Sequence, residues 1–326
     1  MNDERADDSD GHGRDAASPT EMPARGWKDV FVRTKAEVKE DRVPMLSAAI
    51  AFYALLAFVP GLIAVVSLYG LVADPADVEQ QVESWLRAAP TDVRELVTDQ
   101  LTNITTNAGA GTGFAVVLGI VLALWSASSG MAHLIEATNI AYDESETRSV
   151  VRRRGLALAL TLGAIVFMLV AVGVIAVLPA VLDRAGVGTA GKIAVGILRW
   201  LLLPLGMMVA LSVVYRYGPD RDEPKWSWTS VGAAVATVMW LAASALFAVY
   251  TGNFAKYNKT YGSLGAVVVL MLWLFITALC VIVGAELNAE LERQTARDTT
   301  TGPERPMGSR DAEAADTLGR TAEQMS

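Results

Sequence analysis

The sequence predicts an all-α polytopic membrane protein with six transmembrane helices, and three observations support this prediction. Apolar residues make up 52% of the 326 residues, and they cluster in long runs, whereas soluble domains disperse them. Six of these runs are long enough, at about 1.5 Å rise per residue, to cross a hydrocarbon core about 30 Å thick. Charged residues concentrate at the two ends of the chain and between the runs.

The predicted helices begin and end where apolar runs meet polar or glycine-rich segments. They cover residues 46–73, 112–133, 155–182, 193–217, 228–250 and 264–285. Residues 1–24 and 294–326 are polar and lack apolar periodicity, which predicts two disordered tails around a membrane domain of residues 25–293. Deleting residues 299–326 is therefore expected to have little effect.

A basic amphipathic helix is predicted over residues 27–42, just before the first transmembrane helix. Trp27 and Phe31 are interspersed there with Lys28 and Arg33, a pattern typical of a helix that lies on a membrane surface. A plain solvated helix is the alternative. The residues before it contain no apolar stretch typical of a cleavable signal peptide, so we expect the first transmembrane helix to direct insertion.

A polar segment, residues 75–107, follows the first transmembrane helix. Val93, Leu96, Val97 and Leu101 recur in it at helical spacing. This pattern predicts one or two amphipathic helices on the outer side, beyond the membrane core.

Two of the predicted transmembrane helices carry a proline near mid-membrane. Pro60 is followed directly by Gly61, and Pro204 by Gly206 two residues later. Because proline removes a backbone hydrogen bond, each pair predicts a helix break, which membranes tolerate only where protein or water covers the freed carbonyl. One hypothesis is that these helices are mobile and line a shared central site. The alternative is two packing kinks filled by neighbouring small residues.

The two halves of the chain share short patterns. The proline–glycine pairs correspond, and Trp125 and Trp240 are each followed by Ala and Ser at the same offsets. This symmetry favours a 3+3 inverted repeat, an arrangement found in many transporters. Chance matches among small residues and tryptophan are the alternative.

Basic residues are concentrated on one side of the predicted bundle. Arg and Lys are frequent in residues 25–42, 148–154 and 216–225, and much rarer near the opposite helix ends. The positive-inside rule then predicts that both termini are cytoplasmic and that the number of spans is even.

Several function classes have no support in the sequence. The formal net charge of −8 comes mainly from the tails and one long loop, and it does not indicate a nucleic-acid partner. His12 and His133 are too far apart to form a metal site together, and no catalytic or cofactor-binding motif occurs. We therefore predict no enzyme activity, cofactor or metal. The single cysteine, Cys280, excludes an intramolecular disulfide.

Polar residues at the cytoplasmic helix ends form one candidate site. Glu136 and Asn139 share a helix face after the second apolar run, and Glu286 and Asn288 follow the sixth. Arg152 belongs to a basic cluster that opens the third helix and is expected to pair with these acids. One interpretation is an interface lock that fixes the helices, and the other is a gate or head-group site.

A second candidate site lies on the outer side, before the sixth helix. It combines amide, cationic and phenolic side chains, namely Asn253, Lys256, Tyr257, Lys259 and Tyr261. Such a mixture suits a phosphate or sugar head group. An ordinary aromatic and basic membrane anchor is the alternative.

Three longer segments carry a resemblance to a known family. They are SAAIAFYALLAFVPGLIAVVSL at 47–68, LWSASSGMAHLIEATNIAYD at 124–143, and the stretch from NFAKYNKTYG to VIVGAELN at 253–288. Together they resemble the YihY/BrkB family of bacterial inner-membrane proteins, once labelled ribonuclease BN. The resemblance implies six helices, cytoplasmic termini and a role in serum resistance, in envelope integrity or in moving lipid-like amphiphiles. No acidic metal cluster supports the ribonuclease label.

Two functional hypotheses follow from the residues and the resemblance together. The first is a transporter or flippase-like protein for an anionic amphiphile, with membrane lipids as its partners. The second is a non-transporting scaffold that holds envelope proteins through residues 77–107. Because no ATP-binding motif occurs, any pumping is expected to need a gradient or a partner.

Overall fold

The computed structural model describes residues 11–70, 113–177, 188–254 and 258–325. Within these ranges the regular structure is helical, apart from an isolated bridge between Pro224 and Thr300. The helices are α1 (Ala24–Glu40), α2 (Val43–Gly70), α3 (Gly113–Ala141), α4 (Val150–Val172), α5 (Thr189–Tyr217), α6 (Trp226–Phe254), α7 (Asn258–Glu292) and the short α8 (Glu313–Asp316). A π-helical turn, Gly173–Val177, extends α4.

Several of these helices have the length and composition needed to cross a membrane. In the described part of the chain, four qualify: Val150–Ile175, Val195–Tyr217, Trp226–Thr251 and Val267–Glu292. A fifth is added if α1 and the first part of α2, bent by 61° at their junction, count as one span. The all-helical, multi-pass prediction is thereby confirmed. The six-span count and the inverted repeat stay predictions, and residues 75–107 lie outside the described residues.

Two helices continue beyond their predicted transmembrane spans as polar turns, as the sequence of residues 134–142 and 286–293 predicts. The second predicted span ends at residue 133 and α3 continues to Ala141, and the sixth ends at residue 285 and α7 continues to Glu292. The third helix begins earlier than predicted, at Val150, where the Ser149 side chain accepts a hydrogen bond from the Arg152 backbone. Apolar runs mark only the part of a helix that hydrocarbon covers.

Proline does not interrupt either of the two helices predicted to break. Pro60 lies inside α2 and Pro204 inside α5, and both helices are continuous through the proline. Proline removes one hydrogen bond from a helix, but the turns on both sides and the packing of neighbouring helices maintain the rest. The predicted helix breaks are therefore not found.

Small residues allow the closest helix contacts. The position of a Cβ added at Gly130 of α3 lies 3.6 Å from the Ala54 backbone of α2. A Cβ at Gly284 of α7 would lie 2.7 Å from the Gly232 carbonyl oxygen of α6. Glycine at these crossings lets the backbones approach, which drives association where lipid supplies no hydrophobic force.

The tightest apolar core lies towards the end of the bundle that carries both chain tails. Tyr142, Tyr215 and Ile282 are fully buried there, where α2, α3, α5, α6 and α7 meet. Large apolar side chains such as Trp200 and Leu246 are instead exposed on the outer faces of α5 and α6. This distribution is that of a membrane protein, whose lipid-facing surface is as apolar as its interior.

Residues 11–24 and 294–325 fold together over this polar end, and we call them the terminal cap. The Ala296 N–H donates to the Arg14 carbonyl at 2.8 Å, and the Thr295 hydroxyl donates to the Ala16 carbonyl at 2.8 Å. Arg310 is buried and donates to the Ala296 carbonyl at 2.8 Å. This differs from the predicted disordered tails, because hydrogen bonds rather than apolar periodicity hold these segments.

Candidate functional site

An apolar cavity of about 350 Å³ lies between α2, α3 and α4. Its lining includes Ala57, Phe58, Gly61, Ala127, Met131 and Met168. The one hydroxyl among its lining residues, on Thr161, already donates to the Ala157 carbonyl at 2.7 Å. An apolar cavity of this kind does not hold ordered water, and its volume falls within the range of about 300–1,000 Å³ typical of ligand pockets.

Small side chains create this cavity. Ala54 and Gly130 bring α2 and α3 together on one side of it, and Gly61 leaves its wall open. The nearest atom to a Cβ placed at Gly61 would be the Ala127 Cβ, at 4.0 Å. Gly61, in the helix that the sequence predicts to line a site, therefore lies in the wall of this cavity.

A cation lies on the cavity-facing side of α4, about two helical turns before the cavity. Arg154 is seven residues before the cavity-lining Thr161, so the two share one face of α4. Its Nη2 donates to the Trp125 carbonyl at 2.7 Å, two residues from the lining residue Ala127. Its guanidinium carbon lies 4.5 Å from the Trp125 ring centroid, within cation–π range. Its buried Nε has no hydrogen-bond partner among the described residues.

The predicted pairing between the acids and the basic cluster is not made. Arg154 binds the Trp125 carbonyl, while Arg152 is exposed at the start of α4. The Glu136 side chain is 59% exposed, and its carboxylate lies 3.7 Å from His133 Nδ1. The Arg154 side chain crosses to α3, and the sequence does not reveal that direction.

Two ion pairs surround Glu290, near the end of α7. The Arg33 side chain of α1 binds its carboxylate through Nε, and Arg33 Nη2 donates to the Glu290 carbonyl oxygen at 2.9 Å. On the other carboxylate oxygen, Arg293 Nη1 donates at 2.7 Å, and Arg293 also pairs with Asp143 after α3. These charged groups connect α1, α3 and α7. The pairing of Arg33 with Glu290 was not predicted, because their separation of 257 residues leaves no local signal in the sequence.

The two predicted asparagines also connect separate segments. Asn288 of α7 accepts a hydrogen bond from the Gly232 N–H at 2.7 Å and donates to the Thr229 carbonyl at 3.1 Å, both on α6. Asn139 accepts from the Asp220 N–H at 2.8 Å and donates to Glu146 at 3.0 Å. Both side chains are buried, and each uses both its amide oxygen and its amide nitrogen.

Glu286 has a different environment from the other buried acids. It is 2% exposed, and its Oε1 has no hydrogen-bond partner in the described part of the chain. Its carboxyl lies against Asp41, at the corner between α1 and α2, and near Glu37. Burial, reinforced by the charge of Glu290, raises the pKa of Glu37 to about 7. Burial, reinforced by the charge of Asp143, raises the pKa of Asp41.

The remaining predicted residues do not join the cavity or the polar end. Lys256 and Tyr257 lie outside the described residues, as do the side chains of the other outer-site residues, namely Asn253, Lys259 and Tyr261. Gly206 faces α4, with a Cβ position 2.9 Å from Phe167, and neither Gly206 nor Pro204 lines the cavity. The structure thus separates Gly61 from Gly206. In the described residues, no group of three acidic, histidine or cysteine side chains is arranged to hold a metal ion.

Sequence comparisons agree with the resemblance carried by the three segments. The family model described as virulence factor BrkB matches residues 34–308. The ribonuclease-like protein YfkH of Bacillus subtilis is 32% identical over 257 residues, which cover 76% of this chain and 90% of that protein.

Two further relatives carry the description UPF0761 membrane protein. The one from Rhodospirillum centenum is 27% identical over 273 residues, covering 79% of this chain and 56% of its own length. The one from Vibrio parahaemolyticus is 24% identical over 262 residues, covering 78% and 79% respectively. No solved structure is significantly similar to the chain. With a family match across most of its length and a multi-pass helical architecture, the chain belongs to the BrkB family of membrane proteins.

Proposed function

We propose that this protein moves an anionic amphiphile, a membrane lipid or an envelope precursor, as a transporter or flippase-like protein. The observation that carries the proposal is the apolar cavity between α2, α3 and α4, with Arg154 about two helical turns before it on α4. The proposed function changes the position of a molecule and none of its covalent bonds.

The two parts of this site suit the two parts of an amphiphile. The cavity offers apolar walls to a hydrocarbon chain, which finds there surroundings as apolar as the bilayer interior. Arg154 offers a guanidinium, a group that recognises phosphate or carboxylate. The Trp125 ring and the Trp125 carbonyl hold this guanidinium against α3.

The proposed setting is the bacterial inner membrane, with both termini in the cytoplasm. The terminal cap supports a common side for both ends, because Ala296 and Arg14 are hydrogen bonded at 2.8 Å. Arg33, Arg148 and Arg154 lie towards that end, in agreement with the positive-inside rule. Reporter enzymes fused to either terminus should be active in the cytoplasm, and one inserted at Thr98 should be active outside. A cytoplasmic signal from Thr98 would overturn this orientation.

A scaffold for envelope proteins is the second candidate, and the polar end favours it. Glu290, Asn139 and Asn288 bind partners on separate segments and so tie helices together, which is an arrangement suited to a fixed framework. A scaffold has no need for the cavity near Arg154. Changes in the cavity therefore distinguish the two functions.

The test reconstitutes the full-length protein into vesicles and follows a fluorescent phosphatidylglycerol between leaflets. Arg154→Gln removes the cation and Gly61→Leu fills the cavity, and each should slow movement about tenfold or more, the equivalent of one charge-assisted hydrogen bond. Arg152→Gln and Gly163→Leu are the matched controls. Arg152 is exposed, and no described atom lies within 4 Å of a Cβ at Gly163.

The outcomes separate the two candidates. Movement in the wild type and both controls, with loss in both site variants, supports the transporter. Equal rates of lipid movement in vesicles with and without the wild-type protein would contradict the transporter proposal and favour the scaffold. Wild-type rates in Arg154→Gln and Gly61→Leu would show that the cavity is not the route.

A further inference from the structure

The outer face of α1 carries a line of positive charge. Lys28, Lys35 and Lys39 follow one another at intervals of seven and four residues, so they lie along one side of the helix. All three are exposed, and none forms an ion pair within the part of the chain that the structure describes. Three cations in line therefore point away from the protein.

Apolar side chains lie among these lysines. Phe31 is 55% exposed and Val32 is 36% exposed, about one helical turn after Lys28. The Phe31 ring centroid lies 5.9 Å from that of Trp27, which packs against the buried cluster around Trp228. The outer face of α1 thus combines positive charge with exposed apolar area, which is typical of a helix at a membrane surface.

The acidic residues of α1 lie on other sides of the helix. Asp29 is 2% exposed, and its carboxylate lies 2.5 Å from His12 Nδ1 in the terminal cap. Glu37 is partly buried and lies seven residues after the fully buried Val30, on the inner side. Glu40 is exposed, but it is turned by about 100° from the lysine before it. The outer face therefore keeps a positive charge of its own.

The inner face of α1 is already occupied by the protein. Val30 is fully buried against Leu287 and Leu291 of α7, and Arg33 binds Glu290 on the same helix. These contacts fix the rotation of α1 about its own axis. The lysines are therefore held on the side that faces away from α7.

The corner between α1 and α2 places this face at the level of the lipid head groups. α1 turns by 61° from the first part of α2, so with α2 along the membrane normal it lies closer to the membrane plane than to the normal. Met45, directly after the corner, is 67% exposed on α2. α2 has 28 residues, enough to cross hydrocarbon without α1, and exposed lysines inside hydrocarbon would be costly.

We propose that the outer face of α1 docks on the anionic lipid head groups of the leaflet at the polar end of the bundle. The three lysines bind lipid phosphates, and each should favour an anionic over a zwitterionic surface by about fivefold. Phe31 and Val32 enter the boundary between head groups and acyl chains. This face includes none of the cavity residues, so the inference is independent of the transport proposal.

Spin-label accessibility in nanodiscs tests the location of this face. The full-length protein carries Val32→Cys and Cys280→Ser, with a nitroxide on the new thiol, in nanodiscs of phosphatidylcholine alone or mixed equally with phosphatidylglycerol. With phosphatidylglycerol, the label should be more accessible to oxygen, which concentrates in hydrocarbon, than to a neutral nickel chelate, which stays in water. A label at Glu304→Cys, exposed in the terminal cap, is the water-facing reference.

Substitution of the lysines tests the role of their charge. Adding Lys28→Gln, Lys35→Gln and Lys39→Gln should lower the oxygen-to-chelate accessibility ratio towards that of the cap label and remove its dependence on phosphatidylglycerol. The matched control removes three exposed cations outside α1, through Arg152→Gln, Arg297→Gln and Arg320→Gln, and should leave the ratio unchanged.

Three results would overturn the proposal. A label at position 32 as accessible to the chelate as the cap label, in both kinds of nanodisc, would exclude docking on lipid and favour a soluble acidic partner for this face. An equal ratio with and without phosphatidylglycerol would exclude a preference for anionic lipid. An unchanged ratio in the lysine variant would exclude the lysines as the cause. If the triple lysine variant does not fold, Lys35→Gln alone decides by the same comparison.

Discussion

Arg221 and Glu292 form a bidentate ion pair in which both side chains are completely buried. Nη2 and Nη1 of Arg221 donate to Oε2 and Oε1 of Glu292 at 2.7 and 3.2 Å. The Thr299 hydroxyl donates to the same carboxylate at 2.6 Å, and the Tyr142 ring lies 5.0 Å from the guanidinium. The pair joins the loop after α5 to the last residue of α7.

Breaking this pair from one side should be costly. Arg221→Met or Glu292→Gln alone leaves a buried charge without its partner, and we expect each to lower the free energy of unfolding by about 3–5 kcal/mol. The double variant should lose much less than the sum, which denaturation in detergent at fixed protein concentration can measure. Arg305→Met, at a half-exposed pair with Asp222, is the control and should change the unfolding midpoint little. Additive losses would contradict the pairing.

At the point where α6 and α7 cross, Gly232 and Gly284 leave no room for an added methyl group. A Cβ at Gly284 would lie 2.7 Å from the Gly232 carbonyl oxygen and 2.8 Å from the Ala236 Cβ. Because backbone cannot move aside without separating the helices, Gly284→Ala should destabilise by about 1–3 kcal/mol. Gly163→Ala, with open space around it, should be neutral or stabilising by up to about 1 kcal/mol. Equal thermal midpoints for the two variants would refute this account.

Deleting the C-terminal part of the terminal cap should destabilise the polar end, in contrast to the expectation from the sequence. Arg310 is 3% exposed and donates to the Ala296, Arg297 and Ala315 carbonyls. A chain ending at residue 308 leaves the Ala296 and Arg297 carbonyls without Arg310 and uncovers the end of α7. We expect a lower thermal midpoint and faster proteolysis within residues 11–24. An unchanged digestion pattern would instead agree with the prediction that deleting the C-terminal segment has little effect.

The raised pKa of Glu37 predicts a pH dependence of stability. Its folded value of about 7 exceeds the ordinary value of 4.5, so between these values the folded state keeps a proton that the unfolded state has lost. The free energy of unfolding therefore falls as pH rises from about 4.5 to about 7. Glu37→Gln removes this contribution, so its thermal midpoint should exceed that of the wild type at about pH 8 and approach it at about pH 5. Parallel pH profiles for the two proteins would exclude the effect.

The sequence predicts helix positions well because hydrocarbon imposes a simple requirement of length and apolarity. The predicted span 228–250 lies within α6, for example, and Gly61 does mark a cavity. The partners of Glu286 were not predictable, since Asp41 belongs to a helix whose charges resemble a solvated face. Arg154 was assigned to the acids on proximity in topology alone, whereas its side chain reaches Trp125. The partners of Glu286 and Arg154 depend on side-chain direction and on contacts between distant parts of the chain, and neither can be read from the local sequence.

The terminal cap also fixes the order in which the protein can be completed. Ala296 pairs with Arg14, so this contact cannot form until residue 296 has left the ribosome. At about 5–20 residues per second, synthesis keeps residues 11–24 waiting for tens of seconds while the helices insert. Closure of the cap therefore follows the synthesis of α7. A nascent chain that stops before residue 296 leaves residues 11–24 without this partner, which exposes the incomplete product to proteases.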